Sequence, residues 1–98
     1  MNRISRVDMI LSINRALLGE VSCTLRKVNF AYDDNFIYFQ FFYDPDLDDD
    51  DRDSASTIAG NVSSDFPEHE LKEDVISGDA IPQDTPANLA WETAFLRR

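Results

Sequence analysis

The chain has 98 residues, room for one hydrophobic core but not two, and is 43% hydrophobic with eleven aromatic side chains. Its net charge of −10 argues against nucleic acid and anionic membranes as partners, because both are polyanions, while the aromatic content separates it from disordered acidic chains. Cys23 is the only cysteine, which excludes an intrachain disulfide scaffold, and no apolar stretch approaches the roughly 20 residues of a transmembrane helix.

Residues 3–18 are expected to form a helix. Ser5, Asp8, Ser12 and Arg15 recur every three or four positions as a polar face, leaving Ile4, Val7, Ile10, Leu11, Ile13, Leu17 and Leu18 as a wide apolar stripe to be buried. Gly19 stands where a left-handed residue would end the helix. Met1–Arg6 includes the basic residues Arg3 and Arg6 and the stretch to Leu18 is rather apolar, but Asp8, Asn14 and Arg15 interrupt it and no small-residue cleavage pattern follows. A signal peptide is therefore not expected, and a cytoplasmic location is.

A strand follows at 24–32, with Val28, Phe30 and Tyr32 on one side and Lys27, Asn29 and Ala31 on the other. Asp33-Asp34-Asn35 suits a hairpin turn into a second strand, Phe36 to Tyr43, apolar on both faces except for Gln40. Such a strand belongs in the centre of a sheet. Asp44 and Pro45 stop it, and a second helix begins near Asp48, with Ala55, Ile58, Ala59 and Val62 at helical spacing and Pro67 beyond its end. Two short strands are expected at Glu70–Ser77 and Ala90–Leu96, separated by a loop holding Gly78, Pro82 and Pro86. The order helix–strand–strand–helix–strand–strand predicts a single α+β domain over 1–98, a two-layer sandwich with a largely antiparallel sheet covered by helices.

The charge is concentrated. Between Asp44 and Asp53 stand seven aspartates and Arg52, and the segment Asp33–Glu70 has a local charge of −11, more than the excess of the whole chain. A helix start accounts for two or three aspartates, since the dipole favours negative charge there, but further like charges repel one another. The surplus marks Asp46, Asp48, Asp49, Asp50, Asp51 and Asp53 as a binding surface for a basic protein, with Asp33, Asp34, Glu68 and Glu70 extending it. Trp91, after a polar loop, is a candidate interface anchor.

Other chemistry finds little support. Asp44, Asp46 and Asp48 match three positions of a calcium loop, but Asp49 stands where glycine is needed and Ala55 where a glutamate is needed. One cysteine and one histidine, His69, cannot make a four-ligand zinc site without carboxylates, and no motif flanks either as a nucleophile pair. No phosphate loop or nucleophile elbow is present. The reading is of a protein without cofactor, metal or catalysis; a small enzyme using Cys23 or His69 is the rival. The aromatics Phe36, Tyr38, Phe39, Phe41, Phe42 and Tyr43 read as core rather than as a base-stacking platform, since they lack basic companions.

Several stretches together resemble the small bacterial immunity proteins of contact-dependent growth inhibition systems. They are Ala16-Leu17-Leu18-Gly19-Glu20-Val21-Ser22 with Leu25-Arg26-Lys27-Val28, and the aromatic strand running into Phe42-Tyr43-Asp44 and an acidic helix. Ala55-Ser56-Thr57-Ile58-Ala59 through Val62 to Asp65-Phe66-Pro67, and the closing Phe95-Leu96-Arg97-Arg98, complete the series. The resemblance implies a cytosolic protein that neutralises a toxin domain, commonly a nuclease and often one attacking tRNA; a monomer that binds its toxin 1:1 is expected. It carries over no fixed functional residues, since each such protein matches its own toxin. The aspartates would stand in for phosphates, and the loop Gly78–Asn88 with Trp91 would set specificity. An acidic nucleic-acid mimic acting on some other basic protein is the alternative with the same physics.

Overall fold

The computed structural model describes residues 5–78, 80 and 89–97. Two helices and four strands follow one another in the expected order: α1 (Arg6–Leu17), β1 (Leu25–Tyr32), β2 (Phe36–Tyr43), α2 (Asp49–Asp65), β3 (Glu70–Ser77) and β4 (Glu92–Leu96). The strands form one sheet in the order β3-β2-β1-β4. The aromatic strand β2 is central, as its apolar faces require.

The sheet is mixed, which corrects the largely antiparallel expectation. β1 pairs antiparallel with β2 and with β4, but β2 and β3 run parallel from Phe36↔Glu70 to Tyr43↔Ser77. Length explains this. The 17 residues of α2 span about 25 Å, close to the roughly 26 Å of an eight-residue strand, so the helix returns the chain to the end where β2 began. β3 can then only repeat the direction of β2.

The helices pack on one face of the sheet. Leu25, Val28 and Phe30 of β1 and Ile37, Phe39, Phe41 and Tyr43 of β2 meet Met9, Ile13, Ala16 and Leu17 of α1 and Ala55, Ile58, Ala59 and Val62 of α2. Leu25 and Val28 share that face although three residues apart, because the β1–β2 register shifts between Leu25 and Lys27. The aromatics of β2 therefore divide. Phe39 and Phe41 stack in the core at 5.4 Å, while Phe36, Tyr38 and Phe42 lie half-buried on the other face, with Lys72 over Phe36 and Lys27 over Phe42.

α1 is rotated from its expected setting. Ser5 is its N-cap, accepting from the Asp8 amide, and Gly19 follows the C-cap Leu18 at φ +80° as foreseen. The expected polar residue Ser12 is nevertheless buried, and Val7, Leu11 and Leu18 of the supposed core stripe are 64%, 56% and 78% exposed. The end of α2 accounts for the rotation. Asp65 accepts hydrogen bonds from the Ser12 hydroxyl at 2.6 Å and from Arg15 at 3.1 Å, so the polar side of α1 is held against α2.

Candidate functional site

The acidic segment leaves β2 at Asp44 and enters α2, and the fold uses it unevenly. Asp44 receives both guanidinium nitrogens of Arg97, at 2.8 and 2.9 Å, and Arg97 also donates to the Cys23 carbonyl. That bidentate bond, aided by the charges of Arg97 and Arg26, holds the Asp44 carboxyl below the usual range against the opposing effect of burial. Asp44 thus fastens the chain just after β4 to the end of β2.

Asp48 is the N-cap of α2. Its side chain accepts from the Asp51 amide at 2.9 Å, and Asp51 reciprocates by accepting from the Asp48 amide at 3.3 Å. The sequence places aspartate where a capping box ordinarily has glutamate, so the chain closes the box with a shorter arm. Asp51 is buried and also accepts from Ser22 at 3.0 Å and Thr24 at 2.8 Å, tying the helix start to the segment before β1. Membership of one uniformly exposed patch is therefore wrong for Asp51: the half-buried hydroxyls of Ser22 and Thr24 and the Asp48 amide donate to its carboxylate. Nothing in the hydropathy pattern set Asp51 apart from its neighbours. The hydroxyls of Ser22 and Thr24 were the missed signal.

Tyr43 lies beneath this helix start. Its side chain is fully buried, and its hydroxyl has no hydrogen-bond partner among the described residues. Burial, with further contributions from the negative charges of Asp51, Glu20 and Glu73, pushes its pKa up to about 12.

Asp46, Asp49, Asp50 and Asp53 are exposed. With the exposed Asp48, they make one acidic pole at the start of α2. Glu68 and Glu70 are also exposed but follow the other end of that helix, about 25 Å away. Asp34 is exposed at this far end, in the β1–β2 turn, where Asp33 accepts from the amides of Asn35 and Phe36. The expected continuous patch is thus two poles. Trp91 belongs to neither; it packs against Tyr38 at 6.3 Å on the sheet face away from the helices. The loop Gly78–Asn88, apart from Gly78 and Ala80, lies outside the described residues.

Cys23 is exposed near the start of β1, whereas His69 is buried at the far end of that strand, its Nε2 within 3.2 Å of the Asp33 carbonyl. The geometry does not bring the two together as a nucleophile and base. Among the described residues no group of three or more His, Cys, Asp or Glu is placed to hold a metal ion, and no helix is long and apolar enough to cross a membrane. A cleft of ≈ 650 Å³ beside β4 is lined in part by Arg26, Lys27, Phe42, Leu96 and Arg97. Two of its cations are engaged within the chain, Arg97 by Asp44 and Arg26 by the Gly78 carbonyl.

The described residues form a small α+β domain with exposed acidic charge, and comparison with known families specifies the class as immunity proteins, which act against toxins. The chain belongs to the MafI2 immunity protein family, which matches residues 6–98. No curated protein matches it.

Proposed function

We propose that this immunity protein neutralises a toxin domain with a basic surface, binding it 1:1 in the cytoplasm through the acidic pole at the start of α2. The observation that carries this reading is the division of labour among the aspartates. Asp44, Asp48 and Asp51 are used by the fold, while Asp46, Asp49, Asp50 and Asp53 are exposed beside them. Held on a capped helix start, these carboxylates present fixed negative charge where a nuclease, such as a tRNase, would receive phosphates. Catalysis and nucleic-acid binding have no part in this function. Such complementarity speeds encounter and enforces partner choice. Contact-dependent growth inhibition, in which a neighbouring cell delivers the toxin, is the setting to which the sequence resemblance points. Glu68 and Glu70 serve as a secondary contact on toxins large enough to span α2, and Trp91 as an anchor on the opposite sheet face.

The test is co-expression with candidate toxin domains, followed by co-purification and a growth assay. A complex that forms with wild type and is lost with Asp46, Asp49, Asp50 and Asp53 all changed to asparagine supports the pole. An undiminished complex with that variant removes it.

A further inference from the structure

α1 has two apolar faces, and the fold uses one. Met9, Ile13, Ala16 and Leu17 enter the core. At about 100° per residue, Val7, Leu11, Asn14 and the C-cap Leu18 fall within about 60° of one another on the opposite side. All four are exposed. Their spacing of four, three and four residues is the seam repeat of a two-helix coiled coil, with Asn14 as its single polar member. An isolated exposed leucine would mean little, but three large apolar side chains in register along one helix make a stripe.

The charges beside the stripe indicate what covers it. Asp8 in the first turn of α1 and Arg15 in the last lie on the same flank of the seam; Arg15 donates to Asp65 through Nη2, but its side chain stays 70% exposed. In an antiparallel pair related by a twofold axis, that flank meets itself, so Asp8 of each helix faces Arg15 of the other. A parallel pair would set the same flank against the side carrying Ile10 and would bring no opposite charges together. α2 is the less suitable helix for two acidic chains to share, since it carries five aspartates against Arg52, whereas on α1 Arg6 is paired with Glu92 and Arg15 with Asp65.

We infer that α1 is a self-association surface: two copies of this chain pair antiparallel along Val7, Leu11, Asn14 and Leu18, with Asp8 of each copy against Arg15 of the other. Val7 then packs on Leu18 of the second copy, and Leu11 beside its Asn14. The seam shares no residue with the acidic pole. A helix of about 18 Å buries less than the roughly 1,200 Å² of a standard stable interface, so the dimer forms at high protein concentration and dissociates on dilution. The expectation of a monomer then holds only for the dilute protein.

Sedimentation and cross-linking test this on the full chain. Wild type should shift from monomer to dimer as concentration rises, and Leu11→Lys should raise the dissociation constant by at least about tenfold. For orientation, Val7→Cys and Leu18→Cys are made separately in a Cys23→Ala background and oxidised mildly, alone and mixed. Both positions are exposed, so the variants should fold. The antiparallel register requires cross-linking in the mixture and little with either protein alone. Wild type that stays monomeric at every concentration overturns the inference, as does Val7→Cys alone forming the main cross-link. A monomeric wild type whose toxin complex is lost in Leu11→Lys also overturns it and assigns the stripe to the toxin.

Discussion

Asp51 and Thr24, twenty-seven positions apart, meet through a 2.8 Å hydrogen bond from the Thr24 hydroxyl to the Asp51 carboxylate. This contact makes one of the seven clustered aspartates a structural residue. Asp51→Asn keeps an acceptor but presents an amide to three donors, and Asp51→Ala leaves the Ser22 and Thr24 hydroxyls and the Asp48 amide short of one. Asp51→Ala should cost about 1–3 kcal/mol by urea unfolding, and Asp48→Ala about 1 kcal/mol through the lost cap. Changing Asp46, Asp49, Asp50 and Asp53 to asparagine should leave the unfolding midpoint unchanged or raise it as repulsion falls. Equal sensitivity across all six would contradict the division drawn here.

Association with the toxin should depend on salt. Exposed charges are screened beyond about 10 Å at 0.1 M, so added salt should slow the on-rate while leaving the off-rate nearly constant. The Asp46, Asp49, Asp50 and Asp53 variant should show a slower on-rate at low salt and a flatter salt dependence. Stopped-flow association at several ionic strengths measures both. An on-rate indifferent to salt would remove steering from the mechanism.

Tyr43 and Asp44 are neighbours in sequence with opposite pH signatures. Tyr43 is shifted up to about 12 in the folded chain from an ordinary value of 10.0, so folding favours its neutral form. Its contribution is full below pH 10.0 and is lost as pH rises toward about 12. Asp44 is shifted down from 3.8, so its contribution is present above that pH and is lost as the pH falls through the lower folded value. Tyr43→Phe removes a buried hydroxyl that lacks a partner among the described residues. The variant should be as stable as wild type at neutral pH and should lose less stability above pH 10.0. Thermal melts across the alkaline range would show it, and identical alkaline profiles would count against this account.

Element order was legible because it rests on local signals: β-branched and aromatic runs, turn residues, and the cap-plus-period pattern of α2. The direction of β3 was less so, although the near-equal lengths of α2 and β2 imply a parallel return. The rotation of α1 was beyond a pattern reading. Apolar residues occupy two sides of that helix, and only the tertiary contact of Ser12 with Asp65 selects which side is buried. The acidic pole was visible as composition, but its internal structure was not. The choice of Asp51 over Asp50 as the inward carboxylate depends on hydroxyls supplied by a segment distant in sequence.

The specificity of protection should reside away from the acidic pole. Charge alone would attract any basic toxin, so rejection of the wrong one must come from shape and from charges left unpaired. Trp91, packed against Tyr38 with the rings tilted at 55° on the face away from the helices, and the loop Gly78–Asn88 that precedes it in sequence supply that shape in this reading. Loops can change without disturbing a core, which suits a surface that must differ between related immunity proteins. Exchanging residues 78–91 with those of a related immunity protein should transfer protection to the other toxin, read as growth of cells expressing each toxin. Trp91→Ala should weaken the cognate complex mainly through a faster off-rate, because a packed aromatic anchor acts after encounter. If the exchanged chain still protects only against its original toxin, specificity lies with α2.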